Sequence, residues 1–148
     1  MKRNLNNLRK SVNKENRSSE KKFSILQLNC NGLNRNLTEI RRYLYNKKPD
    51  VFCLCETFIS KYEPRFFGYK AIWAHRFNKA KGGLLLLVRS DVRHVEIDMI
   101  PYEGGWLELQ CVKMYTEFGE VKIANIYNPC KDITIDELVH YRRQLGDT

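Results

Sequence analysis

After residue 22, the pattern of apolar residues predicts a strand-helix-strand unit followed by a series of strands. The segment FSILQLN is a short apolar-rich run that ends in the turn residues Asn-Cys-Asn-Gly, which is typical of a strand entering a loop. The segment VFCLC is a second β-prone run. With a helix between them, residues 23–55 predict two parallel strands.

The helix between these strands is predicted from its start signal, its period and its stop signal. The run from Asn36 to Glu39 has the form of a capping box, which places the helix start there. Pro49 ends the helix, because proline cannot continue the hydrogen-bond ladder. Apolar residues recur between these points at helical spacing: Leu37, Ile40, Tyr43 and Leu44.

The rest of the chain predicts antiparallel or mixed strands joined by short connections. The run LLLLV is apolar on both faces and is expected to be a central strand, whereas WLELQCVKM and VKIANIY alternate and are expected to bury one face. The pair Gly82 and Gly83 favours a bend that lets the strand enter the core over a phosphate cradle, because no helix follows it. Residues 133–145 have the spacing of an amphipathic helix. The remaining predicted strands are KAIWA and HVEIDMI.

Charge is concentrated in the first 22 residues, which carry eight Lys and Arg against two Glu, a net of +6 out of the chain's +9. This segment has too little apolar surface to offset the entropy of ordering it, so residues 1–22 are predicted to be a flexible basic tail and residues 23–148 one domain. The tail is interpreted either as a solvated leader or as an arm that directs nuclear import or binds the phosphates of nucleic acid. The candidate contacts are Lys2, Arg3, Arg9 and Lys10.

The five cysteines occur in apolar runs and not at the spacings of a disulfide scaffold or a zinc site. Cys53 and Cys55 share one strand face, and we expect them to pack in the core. The longest purely apolar run, residues 84–88, is too short to span a membrane, and no signal-peptide pattern opens the chain. These features favour an intracellular protein, nuclear rather than cytoplasmic, with no membrane partner.

Polar residues end three of the predicted strands, where side chains are held by a sheet yet face solvent. Glu56 directly follows five apolar residues, which suggests either a ligand-binding carboxylate or a strand-end salt bridge. Asn29 ends the first strand, where a turn role is the alternative. Tyr127 ends the last strand, where a partly buried aromatic is the alternative. A carboxylate with an amide oxygen suits Mg²⁺, which would make the substrate a phosphate ester.

Three histidines are candidates for a general base, namely His75, His94 and His140. The first two lie in or beside predicted strands and the third in a predicted helix. None has a neighbouring carboxylate motif in the sequence, so we do not expect any of them to activate water.

Four segments in order resemble the N-terminal half of the endonuclease/exonuclease/phosphatase superfamily: LQLNCNGLNR, KPDVFCLCETF, AKGGLLLLVRSDV and VKIANIYNP. Within the superfamily they are most similar to the apurinic-type endonucleases carried by non-long-terminal-repeat retrotransposons ahead of their reverse transcriptase. The resemblance implies an α/β fold, a four-layer α/β sandwich in which two mixed β-sheets are flanked by helices. This chain is expected to supply about half of it.

The resemblance also implies roles for individual residues. Glu56 matches the metal-binding glutamate, and Asn29 matches the asparagine that helps to hold metal and phosphate. Tyr127 matches the tyrosine that contacts the scissile phosphate, and Thr57 matches a structural position. The implied cofactor is Mg²⁺, with Mn²⁺ as a substitute and no small-molecule cofactor, and the implied substrate is a DNA phosphodiester.

The chain departs from the family pattern at its C-terminal end. The family continues into Gly-Asp-x-Asn and Ser-Asp-His segments, which this sequence does not contain. We therefore expect a truncated endonuclease that needs a C-terminal half as partner and is inactive alone, with apolar side chains of Trp106–Met114 facing water. The alternatives are a nucleic-acid-binding relic without activity, or a phosphatase acting on another phosphoester.

Overall fold

The computed structural model of this chain describes residues 22–76 and 81–146. The predicted tail therefore lies outside the described residues, except for Lys22. Two helices and seven strands occur in the described ranges. In chain order they are β1 (Ile25–Asn29), α1 (Leu33–Lys47), β2 (Val51–Cys55), β3 (Tyr69–Ala74), β4 (Leu84–Arg89), β5 (His94–Ile97), β6 (Glu108–Thr116), β7 (Gly119–Tyr127) and α2 (Ile135–Leu145).

Four strands form the first sheet, in the order β1-β2-β4-β3. Strands β1 and β2 are parallel, with Ile25 opposite Val51 and Asn29 opposite Cys55, which confirms the predicted β-α-β unit. Strand β4 is antiparallel to both of its neighbours, β2 and β3. The prediction of a central strand is confirmed, because residues 84–88 of β4 are fully buried.

Three antiparallel strands form the second sheet, in the order β5-β6-β7. Val112 and Met114 on β6 pack against Val51 and Leu86 of the first sheet and have no exposed surface. The expectation that the Trp106–Met114 segment turns its apolar side chains to water was therefore wrong for its inner face. The two sheets pack face to face, so each buries part of the inner face of the other.

Helix α1 covers the outer face of the first sheet, where Ile40 and Leu44 pack with Phe52, Leu85 and Leu87. The predicted capping box at Asn36 was wrong, because α1 begins at Leu33 after Gly32. The reason lies in tertiary contacts. The backbone N–H groups of Gly32 and Leu33 donate to the carbonyls of Glu56 and Thr57, at 2.8 and 2.9 Å, so the helix start is held by the neighbouring loop.

Helix α2 lies on the outer side of the second sheet. Thr134 caps its N-terminus by accepting a hydrogen bond from the backbone N–H of Glu137. The buried Glu137 carboxylate in turn accepts hydrogen bonds from the N–H groups of Trp106 and Leu107, both at 3.0 Å. The order of layers is therefore helix, sheet, sheet, helix, which confirms the predicted four-layer α/β sandwich.

Neither helix in the described ranges has the length and apolar character needed to cross a membrane. Four of the five free cysteines are buried, including Cys53 and Cys55, which confirms that this pair packs in the core. Burial raises the pKa of Cys30 and of Cys53 to about 11. Cys130 is exposed on the segment after β7.

A thiol titration of the native chain is expected to show one fast-reacting group, Cys130, because the thiolate is the reactive form and the buried thiols are protonated and inaccessible. A chromogenic disulfide reagent measures this directly. The Cys130→Ser variant should lose the fast phase and keep the slow one. Two or more fast thiols in the native chain would contradict the packing of the two sheets described above.

Candidate functional site

The three residues predicted to carry chemistry lie at one end of the sandwich. Asn29 is the last residue of β1 and lies opposite Cys55, so it is next to the position of Glu56 on the neighbouring strand. Tyr127 ends β7 in the second sheet, and its hydroxyl donates a hydrogen bond to Oε1 of Glu56. The Asn29 side-chain oxygen accepts from the N–H of Asn31 at 3.0 Å, so it also has the turn role considered from the sequence.

Glu56 has an unusual backbone conformation for a residue with a side chain, with a φ of 54°. The left-handed region costs a non-glycine residue about 1 kcal/mol, so it persists only where surrounding contacts hold it. Here the Glu56 carbonyl accepts from the Gly32 N–H at 2.8 Å, and the Thr57 N–H donates to the Gly83 carbonyl at 3.1 Å. The loop is therefore held from both sides with the carboxylate directed toward Tyr127.

Gly82 and Gly83, which precede β4, have no side chain and therefore let the backbone lie close to Thr57 and Glu108. A Cβ on Gly83 would lie 2.6 Å from Oγ1 of Thr57, and a Cβ on Gly82 would lie 2.4 Å from Oε1 of Glu108. Both glycines also have positive φ values, 104° for Gly82 and 89° for Gly83. The prediction of a bend that admits the strand to the core is confirmed, with the Gly83 N–H donating to Glu108 Oε2 at 2.7 Å.

The hydrogen bond to Glu56 decides the protonation state of Tyr127. Donation to the carboxylate is the largest cause that raises the pKa of the phenol well above its usual range, and burial raises it further. Tyr127 therefore keeps its proton to a higher pH than an isolated tyrosine does. It can donate a hydrogen bond to an anionic oxygen, but it cannot act as a base.

Two buried amides connect the sheets just beneath Glu56 and Tyr127. Asn125 on β7 is 1% exposed, and its Nδ2 lies 3.0 Å from the carbonyl oxygen of Leu54 and 3.5 Å from that of Leu85. The same nitrogen donates to Gln110 Oε1 at 3.0 Å, and Gln110 Nε2 donates to the Ile72 carbonyl at 3.0 Å. These amides fix the spacing between β7 and β2 at the site.

Sequence reasoning missed this amide bridge, although a signal was present. Gln110 lies on the same face of β6 as the buried Val112 and Met114. Asn125 lies on the same face of β7 as the buried Ile123 and as Tyr127. A polar residue at an inward position of an alternating strand is costly unless it finds a partner. Such positions therefore indicate a buried hydrogen bond.

The sequence has no carboxylate motif beside any of the three histidines, but the fold brings a carboxylate to His75. Nε2 of His75 lies 2.6 Å from Glu63 Oε1, and its ring stacks on Trp73. The pair was invisible in the sequence, because 12 positions separate the two residues, and these include a turn and the whole of β3. His94 and His140 instead contact backbone carbonyls, those of Val92 and Ile100.

The donor set at the site matches part of a magnesium shell. Among the described residues, no group of three or more Asp, Glu, His and Cys side chains forms a metal-binding cluster. Glu56 and Asn29 provide one carboxylate and one amide oxygen on adjacent strands, and Mg²⁺ typically takes one or two carboxylates with water and phosphate oxygens. Tyr127 donates to one carboxylate oxygen of Glu56. Because a carboxylate has about four acceptor positions, the others can still bind a cation.

A comparison with protein families identifies the class of protein to which this fold and site correspond. The profile described as "Endonuclease/Exonuclease/phosphatase family" matches residues 26–139, which include Asn29, Glu56 and Tyr127. The chain therefore belongs to the endonuclease/exonuclease/phosphatase family, a family of phosphoester hydrolases. The resemblance inferred from the four sequence segments is confirmed.

Individual relatives come from transposons and from DNA-processing enzymes. A curated Drosophila melanogaster protein, "Probable RNA-directed DNA polymerase from transposon BS", is 30% identical over 123 residues, which cover 80% of this chain and 13% of that protein. A solved AP endonuclease from Archaeoglobus fulgidus has a TM-score of 0.49 at 16% identity, over 68% of this chain and 40% of that one. A 3′ phosphatase from Neisseria bound to product DNA hairpin has a TM-score of 0.44 at 17% identity over the same shares. The chain thus spans a small part of the curated relative and under half of the solved structures.

Proposed function

We propose that this chain is the N-terminal part of a Mg²⁺-dependent endonuclease of retrotransposon type that hydrolyses DNA phosphodiesters. The observation that carries the proposal is the hydrogen bond from Tyr127 to Glu56, which brings the ends of the two sheets together next to Asn29. The similarity to a transposon polymerase supports the retrotransposon type. One solved neighbour was bound to DNA, and that observation concerns the neighbour and is no part of the support for this proposal.

Each residue has a role that follows from its chemistry. The Glu56 carboxylate and the Asn29 side-chain oxygen are the ligands for Mg²⁺ or Mn²⁺. When bound, a divalent cation supplies Lewis-acid stabilisation of a phosphoryl oxygen. Tyr127 has a single O–H, which donates to Glu56 in the structure. When the Glu56 carboxylate binds the cation, this O–H turns to a non-bridging oxygen of the scissile phosphate and donates there instead.

The group that activates water is proposed to come from a C-terminal half with Gly-Asp-x-Asn and Ser-Asp-His motifs. The greater length of the transposon relative supports such a continuation. The 148-residue chain alone is then expected to cleave DNA far more slowly than a complete enzyme, since general base catalysis contributes about 10²- to 10⁴-fold. A nuclear location is proposed with it, because the substrate is DNA.

Plasmid nicking tests the proposed reaction. A protein extended through the coding sequence downstream of Thr148 should nick supercoiled plasmid in Mg²⁺ and stop in a chelator. Tyr127→Phe removes only the hydroxyl, and we expect it to slow nicking roughly 100- to 1,000-fold, as for loss of one donor to an anionic oxygen. Tyr62→Phe is the matched control, since Tyr62 is an exposed tyrosine.

Other substrates distinguish the alternatives in the same assay. If inositol phosphates or RNA compete better than duplex DNA, the proposed function is wrong and the protein is a hydrolase of another phosphoester. Robust nicking by the 148-residue chain, abolished by Glu56→Gln, would show that the reaction needs no C-terminal half. Binding without cleavage by the extended protein would leave the nucleic-acid-binding alternative.

Removing residues 1–22 is expected to flatten the salt dependence of duplex DNA binding, because this segment carries a net charge of +6. Each phosphate contact contributes a slope of about 0.9 in log affinity against log salt. Replacing Lys2, Arg3, Arg9 and Lys10 together by glutamine should produce part of the same change. These four residues lie outside the described residues. An unaltered slope after the deletion would place the binding surface elsewhere.

A further inference from the structure

A shallow depression of roughly 600 Å³ lies beside α1, at the opposite end of the first sheet from Glu56. Its position follows from the topology. Helix α1 runs back from the Asn29 end of the sheet, and β3 begins at Tyr69 opposite Arg89, the last residue of β4. The depression is lined by Arg41, Leu44, Tyr45, Arg65, Phe66, Phe67 and Gly68. None of these residues has a role in the site around Glu56.

Two adjacent phenylalanines in this depression have opposite environments. Phe66 is 5% exposed and packs in the core under α1, whereas Phe67 is 103% exposed. Phe67 and Gly68 are the central residues of a turn, which a hydrogen bond from the Tyr69 N–H to the Phe66 carbonyl closes at 3.2 Å, with a φ of 78° at Gly68. The turn therefore presents the whole Phe67 ring to solvent. Tyr45, 77% exposed, presents a second ring to the same depression.

Positive charge accompanies these rings. Nη2 of Arg41 donates to the Arg65 carbonyl at 2.8 Å, and the Arg41 guanidinium lies 5.9 Å from the centre of the Phe66 ring. These contacts hold the Arg41 guanidinium beside the aromatic residues. The described residues that line the depression include two arginines and no carboxylate, so its charge is complementary to an anion.

We propose that this surface binds single-stranded nucleic acid, with unpaired bases stacked on Phe67 and Tyr45 and backbone phosphates held by Arg41 and Arg65. Exposed aromatic rings next to cations are the combination that recognises unpaired strands, because every base has a face that can stack. In a duplex those faces are already covered by neighbouring bases. This surface lies at the opposite end of the first sheet from Glu56 and shares no residue with the proposed hydrolytic site. The proposal for single-strand binding therefore does not depend on the proposed function.

Fluorescence anisotropy with a labelled 12-nucleotide single strand and a duplex of the same length tests the proposal on the full 148-residue chain. Phe67→Ala is expected to weaken single-strand binding about tenfold, within the range for loss of one stacked base, and to leave the salt slope unchanged because the ring is uncharged. Phe67→Trp should retain binding. Arg65→Gln should weaken binding and reduce the salt slope by about 0.7.

Matched variants separate this site from other binding surfaces. Phe118→Ala removes another exposed ring, on the turn between β6 and β7, and should leave single-strand affinity unchanged. Unaltered single-strand affinity in Phe67→Ala, or an equal loss for duplex and single strand, would overturn the proposal. A change in sedimentation of Phe67→Ala without a change in oligonucleotide binding would assign the surface to contacts between protein copies and overturn it as well.

Discussion

Glu56→Gln is expected to weaken Mn²⁺ and Mg²⁺ binding by about 100-fold or more, measured by titration calorimetry on the folded chain. Of the three candidate residues at the site, Glu56 alone carries a negative charge, and replacing a carboxylate by an amide removes the main attraction for a hard cation. Changes to groups that only support a ligand already cost about 10- to 100-fold in metal affinity, so loss of the ligand itself should cost at least as much.

The substitution is chosen so that it changes charge and little else. Glutamine has nearly the same shape and keeps an oxygen that can accept the hydrogen bond from Tyr127. Glu120→Gln is the control, because Glu120 lies near the far end of β7, paired with Lys113. Unchanged metal affinity in Glu56→Gln, or an equal loss in the control, would remove Glu56 from the metal site. Asn29→Ala should weaken binding less, since a neutral oxygen is lost.

Asn125→Ala is expected to lower the free energy of unfolding by about 3 kcal/mol, which is more than 100-fold in the folding equilibrium. The side chain is buried between the sheets, and its removal leaves a cavity and takes a hydrogen-bond donor from the carbonyls of Leu54 and Leu85 and from Gln110. Urea unfolding followed by tryptophan fluorescence measures this loss.

Controls for Asn125→Ala come from the same chain. Asn46→Ala, at an exposed position near the end of α1, should change stability by no more than about 0.5 kcal/mol. Gln110→Ala combined with Asn125→Ala should cost less than the sum of the two single changes, because the amides share a hydrogen bond. A loss below about 1 kcal/mol in Asn125→Ala would mean that the amide bridge does not hold the sheets together.

Several elements could be predicted because their signals are local. The β-α-β unit followed from two apolar runs around a helical period, and the central position of β4 followed from a run that is apolar on both faces. The bend at Gly82 and Gly83 followed from the two residues that tolerate positive φ. Glu56 could be singled out because a carboxylate directly after a buried strand is unusual.

The errors share a different cause, which is contact between distant parts of the chain. Helix α1 begins at Leu33 because its first N–H groups donate to the Glu56 loop, so a local capping signal at Asn36 was misleading. The pairing of His75 with Glu63, which no sequence motif announced, depends on the turn that precedes β3. The burial of Met114 depends on a second sheet built within the same chain.

The sequence by itself determined the elements, their order and the strand ends at which chemistry is possible, because hydrophobic period and turn residues act over a few positions. Only the tertiary structure decided that Tyr127 bonds to Glu56 across 71 positions of sequence. It also decided that Asn125 spans the two sheets beneath them, and that Phe67 faces solvent while Phe66 is buried. These features depend on which faces of the sheets and helices pack together, and that packing joins residues far apart in the sequence, so no local signal reveals it.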